Sequence, residues 1–148
     1  MNDPREAILL RLVAIAETPA LGFATAVRNV NDIPDLARPA ACIMDGDEEA
    51  DEEDPKKFPP SAPRRVTMKA EIVILAGGQA EEIGGIVNAM RYALIHAVQN
   101  DAQLAALVLD GARRQTIRYI GTEFRVDGGR AVEAEARVAF GFTYILVP

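Results

Sequence analysis

Hydrophobic residues recur along this chain with two different periods, and the places where the period changes mark its elements. In "NDPREAILLRLVAIAETP" Asp3 stands as N-cap, Pro4 takes the first helical position and Glu6 follows the cap by three residues, a capping-box start. Ile8, Leu9, Leu12, Val13, Ile15 and Ala16 then form one wide apolar stripe, and Pro19 closes a helix expected over 4–17. "GFATAVRNV" alternates weakly and predicts a strand over 22–29, and "PAACIMD" predicts another. Between them "NDIPDLARP" is turn-rich, because its prolines cannot join a ladder. "RRVTMKAEIVILAGG" is a long strand. Its residues Val66, Met68, Ala70, Ile72 and Ile74 share one face, while Thr67, Lys69 and Glu71 share the other.

The period then becomes helical. In "QAEEIGGIVNAMRYALIHAVQND" Ile83, Val87, Met90, Leu94 and Val98 line one side, helped by Ile86. Gly84 and Gly85 should each cost about 1 kcal/mol relative to alanine, so they predict close packing of this turn against a strand or a neighbouring subunit. "DAQLAALVLDG" adds a short helical segment closed by Gly111. "QTIRYIGTEF" and "AVEAEARVAFGFTYILVP" are the last two strands, joined by the turn "RVDGG". In the final strand Val132, Ala134, Ala136, Val138, Phe140, Phe142, Tyr144 and Leu146 face one way. Hairpin-linked strands in this order predict an α+β fold of two layers: an antiparallel sheet of four to five strands packed on two main helices, in a single domain over 1–148.

One segment fits neither period. From Asp45 to Asp54 the chain places eight carboxylates and no base, and four prolines follow between 55 and 63. Residues 46–64 are therefore expected to form a long acidic, proline-rich loop between two strands, of the length that is usually functional or disordered. Taking those eight acids from 22 leaves 14 against 16 bases, so the net charge of −6 hides a body of +2. The acidity is local. Asp45, Asp47, Glu48, Glu49, Asp51, Glu52, Glu53 and Asp54, with Lys56, Lys57, Arg64 and Arg65, are the candidate interface and electrostatic residues. The run lacks the ligand spacing and central glycine of an EF-hand loop. A loose gathering of divalent cations is the one form of metal binding it invites, and a solvated loop is the plain alternative. A catalytic carboxylate pair needs a rigid cleft to separate its pKa values.

Other chemistry is sparse. Cys42 is the single cysteine, so an internal disulfide and a cysteine zinc site are excluded, and its apolar neighbours predict a buried, inert thiol. His96 is the single histidine, Ser61 the single serine, and the two lie on unrelated segments. The glycine turn at 77–85 lacks both the P-loop ending and the dinucleotide-binding spacing. With eight aromatics and no tryptophan, the chain offers few stacking platforms for nucleic acid. No apolar run reaches the ~20 residues of a membrane span, and the start opens into a capped helix rather than a secretory signal. The expectation is a soluble protein, not an enzyme and without a cofactor, that works through its surfaces.

An N-terminal amphipathic helix leads to "RPAACIMDGDEEADEED", "PRRVTMKAEIVILAGG" and "IVNAMRYALIHAVQNDAQLAAL", then "IRYIGTEF" and "VAFGFTYILVP". This order of segments, over nearly the whole chain, resembles the tail terminator family, the minor tail proteins of long-tailed phages. The resemblance implies a homo-oligomeric ring, hexameric in its usual form, that caps the tail tube and stops its polymerisation. Its partners would be other copies of itself, the major tail tube protein and the neck or head–tail connector proteins. DNA would meet it only in passage through the lumen, and no membrane is involved. The location implied is the head-proximal end of the virion tail, after assembly in the host cytoplasm. A neck or head-completion protein is the nearest alternative, and a small enzyme or ligand-binding module built on the glycine turn is the alternative from another class.

Overall fold

The computed structural model of the chain describes residues 3–30, 33, 37–50, 59–108, 116–128 and 132–148. Helix α1 runs from Pro4 to Ala16 with Asp3 as its N-cap, the carboxylate accepting from the Arg5 amide at 2.9 Å, but Glu6 is bound by Arg28 instead of closing the expected capping box. A short 3-10 turn, Pro19–Leu21, leads to strand β1 (Thr25–Arg28) and then β2 (Ala40–Ala50). Strand β3 (Arg64–Gly78) is followed by helix α2 (Ala80–Gln99), helix α3 (Ala102–Leu107), β4 (Ile117–Asp127) and β5 (Val132–Leu146). The sheet order is β1-β2-β3-β5-β4. The α+β fold and the five strands agree with expectation, but the sheet is mixed: β1 runs parallel to β2, and the other pairs are antiparallel.

Alternation along β3 and β5 decides which face is covered. Val66, Met68, Ala70, Ile72 and Ile74 of β3 are buried beside Ala134, Ala136, Val138, Phe140, Phe142 and Tyr144 of β5. The helices lie on that face. From α1 come Ile8, Leu9, Leu12, Ile15 and Ala16, and from α2 come Ile83, Val87, Leu94 and Val98. Met90 is only half-buried and Ile86 is 42% exposed, so the buried stripe of α2 is narrower than its sequence predicts. Asp101 ties the helix layer together. Its carboxylate caps α3 by accepting from Leu104 N (2.8 Å) and takes two hydrogen bonds from Arg11 of α1, at 2.6 and 2.8 Å.

Among the described residues, the opposite face is covered only in part. Ile33, Ala40, Cys42 and Val73 form a small second cluster, packed by Val27, Ala37, Met44 and Leu75. Cys42 is buried there, and burial pushes its thiol pKa up, as fits an inert cysteine. Further along the same face, Glu123 of β4 lies opposite Arg137 of β5 and Arg125 opposite Glu135, a ladder of opposite charges. Arg137 donates to Glu135 at 2.9 Å and to Glu71 of β3 at 3.4 Å.

Part of the region expected as a loop over 46–64 is strand instead. Residues 46–50 continue β2, with Glu48, Glu49 and Ala50 paired to β3, and β3 itself starts at Arg64. Backbone hydrogen bonds to β3 hold this stretch where apolar alternation does not. Asp51, Glu52, Glu53, Asp54, Lys56 and Lys57 lie outside the described residues. For the glycine pair of α2, close packing against a strand is corrected: a Cβ at Gly84 or Gly85 would meet nothing within 4 Å among the described residues.

Candidate functional site

The acidic stretch enters the structure through a bulge. Asp45 pairs with Ala70 and Glu48 with Met68, so two residues of β2, Gly46 and Asp47, oppose one of β3, Lys69. The extra residue reverses the alternation. Asp45 and Glu48 therefore both turn to the helix-covered face, while Glu49, opposite Thr67, turns to the open one. Gly46 is required at this point. A Cβ on it would lie 2.7 Å from the Lys69 carbonyl carbon and closer still to its oxygen. On the helix side Arg5 donates to the Gly46 carbonyl at 2.6 Å.

Two of the four described acids of β2 are bound into the fold. Arg28, the last residue of β1, donates from Nε and Nη2 to both oxygens of Asp45 (2.8 and 2.7 Å). Its Nη1 and Nη2 also reach both oxygens of Glu6 on α1 (2.6 and 3.0 Å). Next to it Asn29, in the left-handed conformation with φ 55°, accepts from the Asp45 amide at 3.0 Å. One guanidinium thus bridges a helix and a strand through paired, charge-assisted hydrogen bonds. These bonds from Arg28 hold the Asp45 and Glu6 carboxyls below their ordinary pKa, and the two carboxylates raise that of Arg28. Glu48 accepts a hydrogen bond from the phenol of Tyr144, whose ring is buried in the core. Burial, followed by the neighbouring Glu48, pushes the Tyr144 phenol well above its ordinary pKa. Asp47 and Glu49 are exposed.

A pH prediction follows from Arg28. Asp45 and Glu6 have depressed pKa values in the folded state, so on acidification the unfolded chain binds protons first. Their contribution is present above about pH 4, the ordinary carboxylate range, and is lost as pH falls through their lowered values. Arg28→Gln should lower stability at neutral pH and also shrink the loss on acidification. Urea midpoints at neutral and acid pH check this, and an unchanged acid slope in the variant would refute it.

Two of the hollows on the open face lie beside the acidic hairpin. One, of about 470 Å³, is lined by Asp45, Gly46, Asp47, Lys69, Glu71 and Arg137 together with apolar side chains. The other, of about 450 Å³, is lined by Arg65, Lys69 and Arg118 with Thr67, Ile120, Gly141 and Thr143. Among the described residues its lining thus holds three bases and no carboxylate. Thr67 and Thr143 share a hydrogen bond of 3.0 Å across its floor. The structure thus sets the exposed acids Asp47 and Glu49 beside a basic hollow that includes Arg65. Arg64 begins the same strand.

Among the described residues no group of three or more His, Cys, Asp or Glu side chains could hold a metal ion. None of the described helices is long and apolar enough to cross a membrane. His96 lies exposed near the end of α2, where its Nδ1 is 3.3 Å from the Asn100 side-chain nitrogen. Residues 77–85 contribute to neither hollow. Sequence reasoning missed Arg28, Asn29, Arg5 and Glu6 as the groups that anchor the acidic strand. The "DG" at 45–46 was the available signal for the bulge, since glycine inside a strand pattern marks one. Neither protein-family models nor curated proteins match this chain.

Proposed function

We propose that this protein is a structural virion subunit, a tail terminator that forms a homo-oligomeric ring, caps the tail tube and offers a surface to the neck. The observation that supports this reading best is the anchored acidic hairpin. Asp45 and Glu48 are bound to Arg28 and Tyr144, so the segment leaves a rigid sheet, and Asp47 and Glu49 lie beside the basic lining Arg65, Lys69 and Arg118. One subunit thus carries both an acidic and a basic surface, which suits repeated contact between copies. The protein acts by assembly rather than by a reaction, with no cofactor, and its place is the head-proximal end of the tail.

Closing a ring brings these carboxylates together. Unit charges ~7 Å apart in water repel by about 0.6 kcal/mol, screened over a Debye length of about 8 Å. The acids must therefore meet bases of a neighbour, spread to solvent or gather divalent cations. Electron micrographs and light scattering across salt and magnesium test the reading. Rings should form, and their mass should change with ionic strength. Neutralising Asp47, Glu49 and 51–54 to Asn or Gln should leave the fold intact and remove that dependence. A protein that stays monomeric beside tail tubes would overturn the proposal.

A further inference from the structure

Strand β4 is an edge of the sheet, eleven residues long, and its exposed half carries large apolar side chains: Phe124 is 53% exposed and Val126 59%. Long edges of this kind invite another strand unless they are blocked. Among the described residues, only one end of this one is occupied. The Gln99 side-chain amide, with its nitrogen toward the Ile117 carbonyl (3.2 Å) and its oxygen toward the Tyr119 amide (3.1 Å), takes the place of a partner strand there. Those bonds also fix which way the backbone points. Ile117 and Tyr119 direct their polar groups outward, so Arg118 bonds inward, to Gly141 opposite it. Every second residue of β5 after Gly141 then bonds to β4: Ala139, Arg137 and Glu135, opposite Gly121, Glu123 and Arg125. Thr122, Phe124 and Val126 are left with their N–H and C=O groups pointing out of the sheet.

We propose that this edge pairs with β4 of a second copy, antiparallel and two-fold symmetric about Phe124. Hydrogen-bonding parity requires an outward residue opposite an outward residue, so the axis falls on Phe124 or is moved from it by whole residues. With the axis on Phe124, Thr122 meets Val126 of the second copy, and Glu123 meets Arg125 twice over. Moving the axis one residue either way sets Glu123 against Glu123 or Arg125 against Arg125. The charge ladder of the open face would then run unbroken: Glu135, Arg125, then Glu123 and Arg137 of the second copy. On the other face the two Phe124 rings would meet, each beneath its own Arg91, whose guanidinium carbon lies 6.0 Å from the ring centroid. Aromatic and opposite-charge pairs are the ones that stabilise antiparallel strands. The strand is self-complementary in charge, in shape and in backbone direction.

This contact goes beyond the ring reading and does not depend on it. A two-fold contact closes on itself, whereas a ring needs a head-to-tail contact elsewhere, and the two together would join rings face to face. Light scattering and sedimentation from about 1 µM to about 100 µM give the dimer Kd. E123R and R125E each place like charges at both crossings and should weaken the dimer at least about tenfold. Mixed in equal amounts, the two variants become complementary and should form a heterodimer of near wild-type affinity. Any strain within the chain is the same before and after mixing, so recovery reports the register itself. Val126→Pro removes an outward N–H that β5 does not use, and should weaken the dimer without unfolding β4. A wild-type chain that stays monomeric over this range would overturn the proposal. So would variants that dimerise unchanged, or a mixture that does not recover. Rings seen in micrographs while β4 dimers are absent would refute this contact alone.

Discussion

Gly46→Ala is expected to destabilise the protein by about 3 kcal/mol, the upper end of the cost of forcing extra atoms into a packed site. Gly121→Ala, at the bulge of β4, should change stability by less than about 1 kcal/mol. Both glycines stand where the register shifts, between Asp45 and Glu48 in β2 and between Tyr119 and Gly121 in β4. They differ in what a methyl would meet. At Gly121 nothing among the described residues lies within 4 Å, whereas at Gly46 the backbone carbonyl of Lys69 already fills the space. A flexible side chain could move aside, but a paired strand cannot. Relief would require the bulge to open, and then the alternation of β2 would slip by one. Glu49 would replace Glu48 on the covered face, and the hydrogen bond from Tyr144 would be lost. Urea unfolding of the two variants measures the contrast. Equal stability for both would show that the bulge does not rest on the absence of a side chain at Gly46.

How far the sequence alone carried depended on whether an element speaks through its own period. α1, β3 and β5 do so: each has a cap or an unbroken alternation, and each buries the residues its pattern assigns except Val13 of α1 and Leu146 of β5, which are half-buried. β1 does not. Its four residues are all half-buried, and its parallel pairing with β2 leaves no turn signature of the kind a hairpin shows. The acidic half of β2 is the instructive failure. Residues 46–50 are held by ladder bonds to β3 and by contacts from Arg5 and Tyr144, far away in sequence. Composition there reads as a loop because the stabilising partners are elsewhere. For the same reason the charge of the strip was legible but not which of its acids are anchored. Asp45 is fixed by Arg28, and only the fold brings those two together. In β4 the charge order "EFR" was visible, yet its meaning depends on knowing that the strand is an edge and which way its amides point.

Phe140→Ala should cost about 4 kcal/mol, a large part of the stability of a small domain. Phe140 is fully buried and holds the centre of the core on β5, opposite Ala70 of β3 on one side and Tyr119 of β4 on the other. Its ring lies 6.0 Å from that of Tyr119, tilted at 60°, and 6.1 Å from that of Phe142. Removing it leaves a void that neighbours on a paired strand cannot close, so the cavity adds to the lost burial. Phe140→Leu keeps most of the volume and should cost less than half as much. The loss should also be uneven. β3 is clamped between β2 and β5, whereas β4 is an edge that packs into the core through Ile117 and Tyr119. Amide exchange should therefore speed up first in β4, before β3 is affected. Since β4 carries the proposed contact with a second copy, Phe140→Ala should weaken self-association under conditions where the rest of the chain is still folded. Uniform loss of protection across β3, β4 and β5 would show instead that the edge strand opens only with the whole sheet.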